Sequence, residues 1–201
     1  QTPQEDIEAA AKMINEAKKP FLVFGQGITI GSAEKELESF LTKADIPAGS
    51  TLLGLSAIPT DFPNYLGMVG MHGNIAPNMM TQECDLLIAV GMRFDDRVTG
   101  KTSTYAKQAK IIHIDIDAAE IDKNIHVDLG VIGDAKTVLP RIEALVEKKD
   151  HSQWKKYADK CKEIEKSKVI DPEIHPCEGY INMGEVVDMV YFVYYIGNRL
   201  L

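Results

Sequence analysis

The apolar positions follow two alternating patterns. Phe21-Leu22-Val23-Phe24 and Leu86 to Val90 are short, uninterrupted apolar runs, each closed by a glycine, Gly25 and Gly91. Runs without polar alternation read as strands buried on both faces, as in a parallel sheet covered by helices. Lys110-Ile111-Ile112-His113-Ile114-Asp115-Ile116-Asp117 is a β-branched run ending in carboxylates, and Asp128 to Asp134 forms a further strand. The segments Ile46 to Gly54 and Leu66 to Gly73 are shorter and richer in glycine, and predict strands near residues 48 and 67. Helical spacing marks the other stretches. Ile7, Ala10, Ala11, Ile14 and Ala17 make one stripe over 5–18, ended by Pro20, and Leu37, Phe40 and Leu41 face inward over 32–44. A helix over 76–82 precedes the strand at Leu86. Another over 135–148 carries Val138, Leu139, Ile142, Leu145 and Val146, and Pro140 predicts that it starts late or bends.

Strands near residues 22, 48, 67, 88, 113 and 131, with helices between most of them, predict an α/β fold. The expected form is a doubly wound (Rossmann-like) parallel sheet of about six strands flanked by helices. Residues 1–150 form this unit. Over 151–182 the character changes: Trp154, Tyr157, Ala158, Cys161 and Ile164 line one face of an amphipathic helix that lies on the domain or bridges to another, and a proline-containing linker follows. Residues 183–201 start a further helix and end in the uncharged run Met189 to Ile196, expected to be the stub of a following domain or an artificial end.

Totals narrow the class. With 22 basic and 30 acidic side chains the formal net charge is −8 and no basic stripe is visible, which argues against nucleic acid as a partner. Cys84, Cys161 and Cys177 are widely spaced and odd in number, forming neither a metal-ligand pattern nor a disulfide framework. No segment is apolar for long enough to span a bilayer and the start is acidic, so no membrane association and a cytoplasmic location are expected.

Candidate chemistry gathers where the predicted strands end, the place at which open α/β sheets collect ligands. In Gly91-Met92-Arg93-Phe94-Asp95-Asp96-Arg97-Val98-Thr99-Gly100, four charges follow a strand within five positions. Gly91 would permit close backbone approach, and Arg93 and Arg97 suit anionic groups. A polar loop whose aspartates pair with its arginines is the competing reading. The Gly25-Gln26-Gly27-Ile28-Thr29-Ile30-Gly31 loop has the strand–glycine–helix order of a dinucleotide fingerprint, but its third glycine is one position late. No acid closes the second strand about 20 residues on, as that fingerprint requires. A tight turn accounts for it as well. His72, beside Gly70 and Gly73, is either a hydrogen-bond donor to a ligand or a turn residue. Asp115 is placed to accept from sugar or ribityl hydroxyls, while Asp117 before Ala118-Ala119-Glu120 and Asp134 before Ala135 are placed to cap helices.

Three blocks together carry a resemblance: Gly70-Met71-His72-Gly73, Gly91 to Gly100, and His113-Ile114-Asp115-Ile116-Asp117-Ala118-Ala119-Glu120-Ile121. From about Pro3 to Pro176 the chain resembles the central domain of the catalytic large subunit of acetolactate synthase, a thiamine-diphosphate family. The resemblance implies that this domain binds FAD as a structural cofactor. The implied flavin positions are Gly25, Gly27, Thr51, Leu52, Leu53, Met71, His72, Gly73, Gly91, Arg93, Asp95, Asp115, Ile116, Glu120, Gly133 and Asp134. Met71, Asp96 and Arg97 correspond to the substrate channel, where the arginine meets the carboxylate of a second 2-oxo acid. It further implies thiamine diphosphate and magnesium in the full enzyme, flanking domains of the same enzyme as partners, a homo-oligomer, and a place for a regulatory subunit. The cofactor-activating glutamate and the Gly-Asp-Gly…Asn metal motif belong to the other two domains, and Gly133-Asp134-Ala135 is not that motif. No catalytic residue and no metal ligand is therefore expected here, and the chain alone is expected to be inert. Two local departures stand out: Gln26 interrupts the usual triple-glycine turn, and Ser56 stands where a glycine is common. A non-catalytic scaffold without FAD, and the nucleotide-binding domain of a related 2-oxo acid decarboxylase or oxidase, are the alternatives.

Overall fold

The computed structural model describes residues 2–170 and 184–187. The expected linker beyond Ile170 and the apolar run Met189 to Ile196 lie outside the described residues, and of the expected further helix only 184–187 is described, as helical. Six parallel strands form one open sheet: β1 (Pro20–Phe24), β2 (Ala48–Ser50), β3 (Tyr65–Met68), β4 (Leu86–Val90), β5 (Lys110–Asp115) and β6 (Leu129–Ile132), in the spatial order β3-β2-β1-β4-β5-β6. The order reverses between β1 and β4, which makes the carboxyl ends of these two strands the topological switch point.

Two-sided burial explains the unbroken apolar runs. Leu22 and Phe24 of β1 join Ile88, Val90, Ile112 and Ile114 in a core layer, covered by α1 (Gln4–Glu16), α3 (Glu34–Ala44) and α6 (Ala135–Leu145). Phe21 and Val23 point the other way, with Leu87 and Ala89, toward α4 (Ile75–Glu83) and α7 (Ser152–Glu165). Alternate residues of β1 and β4 thus feed two cores, so these central strands have no solvent face on which to place polar residues.

Helical crossovers are fewer than the sequence pattern suggests. Of the five strand-to-strand connections, only β1–β2 and β3–β4 carry a helix longer than one turn, α3 and α4. The others use single turns: Leu52–Gly54, α5 (Asp96–Thr99) and Ala118–Glu120. The layer on the α4 side is completed by α7, which buries Trp154, Ala158 and Cys161 but leaves Ile164 about half exposed. The Trp154 indole N–H donates to the Pro20 carbonyl (2.9 Å), and Lys155 pairs with Asp45 at 2.7 Å. This helix lies on the domain.

Local deviations have physical causes. Asp134 accepts from the Lys136 N–H and starts α6 at Ala135, so the helix does not begin late; Pro140 sits inside it, next to the buried Val138, Leu139 and Ile142. Proline there removes the bond to the Lys136 carbonyl and crowds that oxygen with its ring, and burial of the apolar stripe holds the helix through it. The glycine loop after β1 folds into a one-turn helix, α2 (Gly27–Ile30), before α3 begins. Among the described residues no helix is long and apolar enough to cross a membrane.

Candidate functional site

A cleft of about 770 Å³ opens at the carboxyl ends of the strands. It is lined from β1 by Gln26, Gly27, Ile30 and Gly31, from β2 by Thr51, Leu52 and Leu53, and from β4 by Gly91, Met92, Arg93, Asp95, Arg97 and Val98. Ile114, Asp115, Ile116, Asp117 and Glu120 follow β5, and Gly133, Asp134 and Ala135 follow β6. The expected positions Gly27, Thr51, Leu52, Leu53, Gly91, Arg93, Asp95, Arg97, Asp115, Ile116, Glu120, Gly133 and Asp134 thus converge on one space. Gly25, Met71, His72, Gly73 and Asp96 do not line it.

The floor of the cleft is backbone against backbone. Gly27 N–H donates to the Gly91 carbonyl (2.9 Å), and Gly25 N–H to that of Val90 (3.0 Å). A Cβ on Gly25 would stand 2.5 Å from the Gly91 oxygen, and one on Gly27 2.6 Å from the Gly91 Cα. Gly91 itself has φ +56°, and its own Cβ would meet Gly27 Cα at 2.8 Å. These glycines let two loops of the protein touch; close approach of a ligand is not needed to account for them. With only four residues and no cap, α2 also offers no helix dipole worth invoking for a phosphate.

The four charges after β4 have three different fates. Asp95 caps α5, its Oδ1 accepting from the N–H groups of Arg97 (3.1 Å) and Val98 (3.2 Å). Asp96 and Arg97 lie 4.0 Å apart with both side chains largely exposed, a pairing worth little. Arg93 is exposed and makes no ion pair among the described residues. The salt-bridged-loop reading therefore accounts for one loose pair only.

Carboxylates line the opposite half. Asp115 Oδ1 accepts from the Asp117 N–H (2.9 Å) and its Oδ2 lies 3.8 Å from His113 Nε2, with the side chain 12 % exposed. Asp117 caps the turn that follows by accepting from Ala119 N–H. Glu120 is held by Lys123 at 2.6 Å, and Asp134 caps α6. Each of these four carboxylates keeps one oxygen free of a hydrogen bond from the chain, and Asp115 is the one that belongs to a strand, at the end of β5. Apolar side chains rise round the mouth: Ile30, Leu52, Leu53 and Ile116 are each more than half exposed.

The glycine-rich loop after β3 lies outside the cleft for a local reason. Gly70, at φ +100°, leaves only 2.5 Å between a Cβ and the Arg97 carbonyl oxygen, and a Cβ on Gly73 would meet the Met68 oxygen at 2.2 Å. Asn78 clamps Gly70 through both its N–H (2.9 Å) and its carbonyl (3.0 Å). Met71 N–H donates to the Arg97 carbonyl (2.9 Å), so Met71 sits beside Arg97, while His72 is exposed. His72 stands in the turn with its side chain open to a partner. Sequence reasoning did not single out Ile30, Gly31, Ile114 or Ala135 as cleft residues; the apolar Ile30 inside a glycine loop was the available signal.

An open parallel sheet with a cleft across its switch point defines a doubly wound, Rossmann-like α/β domain. Residues 7–142 match the model of the thiamine pyrophosphate enzyme central domain, and the chain belongs to that family. Among similar proteins, the acetolactate synthase isozyme 2 large subunit of Escherichia coli is 46% identical over 151 residues, 75% of this chain and 28% of that protein. A probable acetolactate synthase large subunit of Methanocaldococcus jannaschii is 48% identical over 74% of the chain and 26% of its own length. The acetolactate synthase large subunit of Corynebacterium glutamicum is 45% identical over 75% and 25%. The chain thus spans about a quarter of the length of these relatives.

Proposed function

We propose that this chain is the FAD-binding central unit of an acetolactate synthase. The observation that carries the reading is the chemistry converging on the cleft: an unpaired Arg93, an Asp115 oxygen without a partner, and four exposed apolar side chains around one opening. A dinucleotide offers the complement of each. Arg93 suits the diphosphate, Asp115 the sugar or ribityl hydroxyls, and Ile30, Leu52, Leu53 and Ile116 the flat ring faces. NAD fits less well, because β2 ends at Ser50, whose hydroxyl is hydrogen-bonded to Tyr65 (2.8 Å), and no acid follows to hold its ribose.

In the whole enzyme thiamine diphosphate and magnesium supply the chemistry that decarboxylates pyruvate and transfers its two-carbon unit to a second 2-oxo acid. FAD serves here as a structural ligand. Arg97, three-quarters exposed and joined through its carbonyl to Met71, offers a cation to the acceptor's carboxylate. The flanking domains of the same enzyme, a second copy of the chain and a regulatory subunit are the partners this reading supplies.

The test is a titration of the chain with FAD, followed by quenching of flavin fluorescence and by thermal shift. Saturation at a hundred times Kd adds about 2.7 kcal/mol to native stability, so Tm rises. Arg93→Ala and Asp115→Asn weaken binding, and NAD gives no comparable shift. A melting point unmoved by FAD removes the reading and leaves a scaffold.

A further inference from the structure

Among the described residues His113 is the one histidine fully inside the sheet, and its two nitrogens are treated very differently. On β5 it stands opposite Ala89 of β4, with no exposed surface. Nε2 lies 2.9 Å from the Met92 carbonyl oxygen, whereas Nδ1 is buried without a partner. A carbonyl only accepts, so Nε2 carries the proton and Nδ1 is a bare lone pair. The Phe94 ring meets the imidazole edge-on at 5.0 Å and fixes its plane. Burial holds the imidazole in its neutral form, shifting its pKa below the ordinary value.

The bond reaches across the cleft floor. Met92 is buried and stands between Gly91 and Arg93, and Asp115 lies two residues along β5 from His113 on the same face. One side chain therefore ties the strand that presents the carboxylate to the turn that presents the free arginine. We infer that His113 is a positioning residue for the cleft, holding the Gly91–Arg93 turn at a fixed distance from Asp115 so that the diphosphate and the sugar or ribityl hydroxyls of one dinucleotide are met at once. This rests on the reading of the cleft as an FAD site.

Two amide variants separate reach from chemistry. Glutamine places its nitrogen near the Nε2 position and asparagine near Nδ1. His113→Gln should hold FAD within about threefold of the parent chain, and His113→Asn should lose about tenfold or more, the cost of a buried acceptor left unpaired. Equal affinity of the Asn variant and the parent overturns the inference. So does a loss in the Gln variant as large as that in the Asn variant. Nitrogen-15 spectra of the parent chain give a readout independent of FAD and of either variant's folding: the Nε2–H tautomer is expected, and an Nδ1–H tautomer overturns the inference. Were the parent chain to bind no FAD, the cleft reading would fall. Displacement of the residue 91–93 amide resonances in the Asn variant but not in the Gln variant would still uphold the positioning role, and its absence would overturn it.

Discussion

Replacing Gly91 by alanine tests whether backbone contact, and not ligand access, is what requires glycine at the switch point. Two costs meet at this position. The first is conformational, because φ is +56° and an L side chain in such backbone costs on the order of 1–2 kcal/mol. The second is steric: the new Cβ would lie 2.8 Å from Gly27 Cα, a backbone atom that cannot rotate away. Overpacking of this kind costs about 1–3 kcal/mol, giving roughly 2–5 kcal/mol together. Two neighbours divide the sum. Gly100→Ala, at φ +57° and ψ −125° with nothing within 4 Å, carries only a conformational cost, about 1–3 kcal/mol in that backbone region. Gly27→Ala, without a positive φ but with 2.6 Å to Gly91 Cα, carries only the steric part. Urea denaturation of the three variants without FAD should therefore place Gly91→Ala as the most destabilised. A Gly91→Ala chain no less stable than Gly100→Ala would refute the contact argument and return the glycine to ligand access.

Two further outcomes follow. Ser56 holds φ +70°, so Ser56→Gly removes a strained conformation while loosening the unfolded chain, a net gain of roughly 0.5 kcal/mol by denaturation; a loss above about 1 kcal/mol would contradict it. Because burial keeps His113 neutral in the fold, its pKa lies below the unfolded value of 6.5. The unfolded chain then binds the extra proton first, so stability is full above pH 6.5 and falls as pH drops toward the folded pKa. Asp122 and Asp150, drawn below the usual carboxylate range chiefly by the backbone N–H groups of Val127 and Ser152, act in a lower window, under pH 4. Denaturation at pH 7.5 and pH 5 should show a decline that His113→Gln diminishes; an unchanged decline in that variant would assign it elsewhere.

The sheet was legible chiefly through β1, β4 and β5, short apolar strands buried along most of their length and closed by Gly25, Gly91 and Asp115. Leu86 to Val90 is observed with the bounds its apolar run implied. The caps at Asp117 and Asp134 were legible too, since an N-cap bond spans only two or three residues. What escaped was non-local. Nothing in Gly25 to Gly27 announces that Gly91 will press against it from 64 positions away, and a glycine needed for such contact is written like one needed for a ligand. The same ambiguity hid the loop after β3, where Arg97 and Met68 backbone oxygens explain Gly70 and Gly73. The helix α5 was missed because Asp95 reads equally as a salt-bridge partner and as a cap, and only the folded chain shows it capping.

These contacts also explain why the cleft has the lining it does. Gly25, Gly27 and Gly91 close up at backbone distance, and a Cβ on Gly54 would stand 2.6 Å from the Phe24 oxygen. The loops leaving β1, β2 and β4 are therefore drawn together at their roots, with no side chains between them. Of the side chains that follow, Ile28 and Met92 turn into the core, while Ile30, Leu52, Leu53 and Arg93 stand outward round the opening, where they are exposed. An apolar group left in water at a rim is unfavourable by roughly 25 cal/mol per Å² against the same surface covered, so this arrangement gains by being covered. Thus the tight floor and the open apolar wall are one design, and a ligand bound there would draw on strand ends already fixed by His113 and the glycines. Substitutions at those glycines should accordingly weaken FAD binding no more than they destabilise the free chain, whereas Arg93→Ala should weaken binding while leaving the stability of the free chain unchanged.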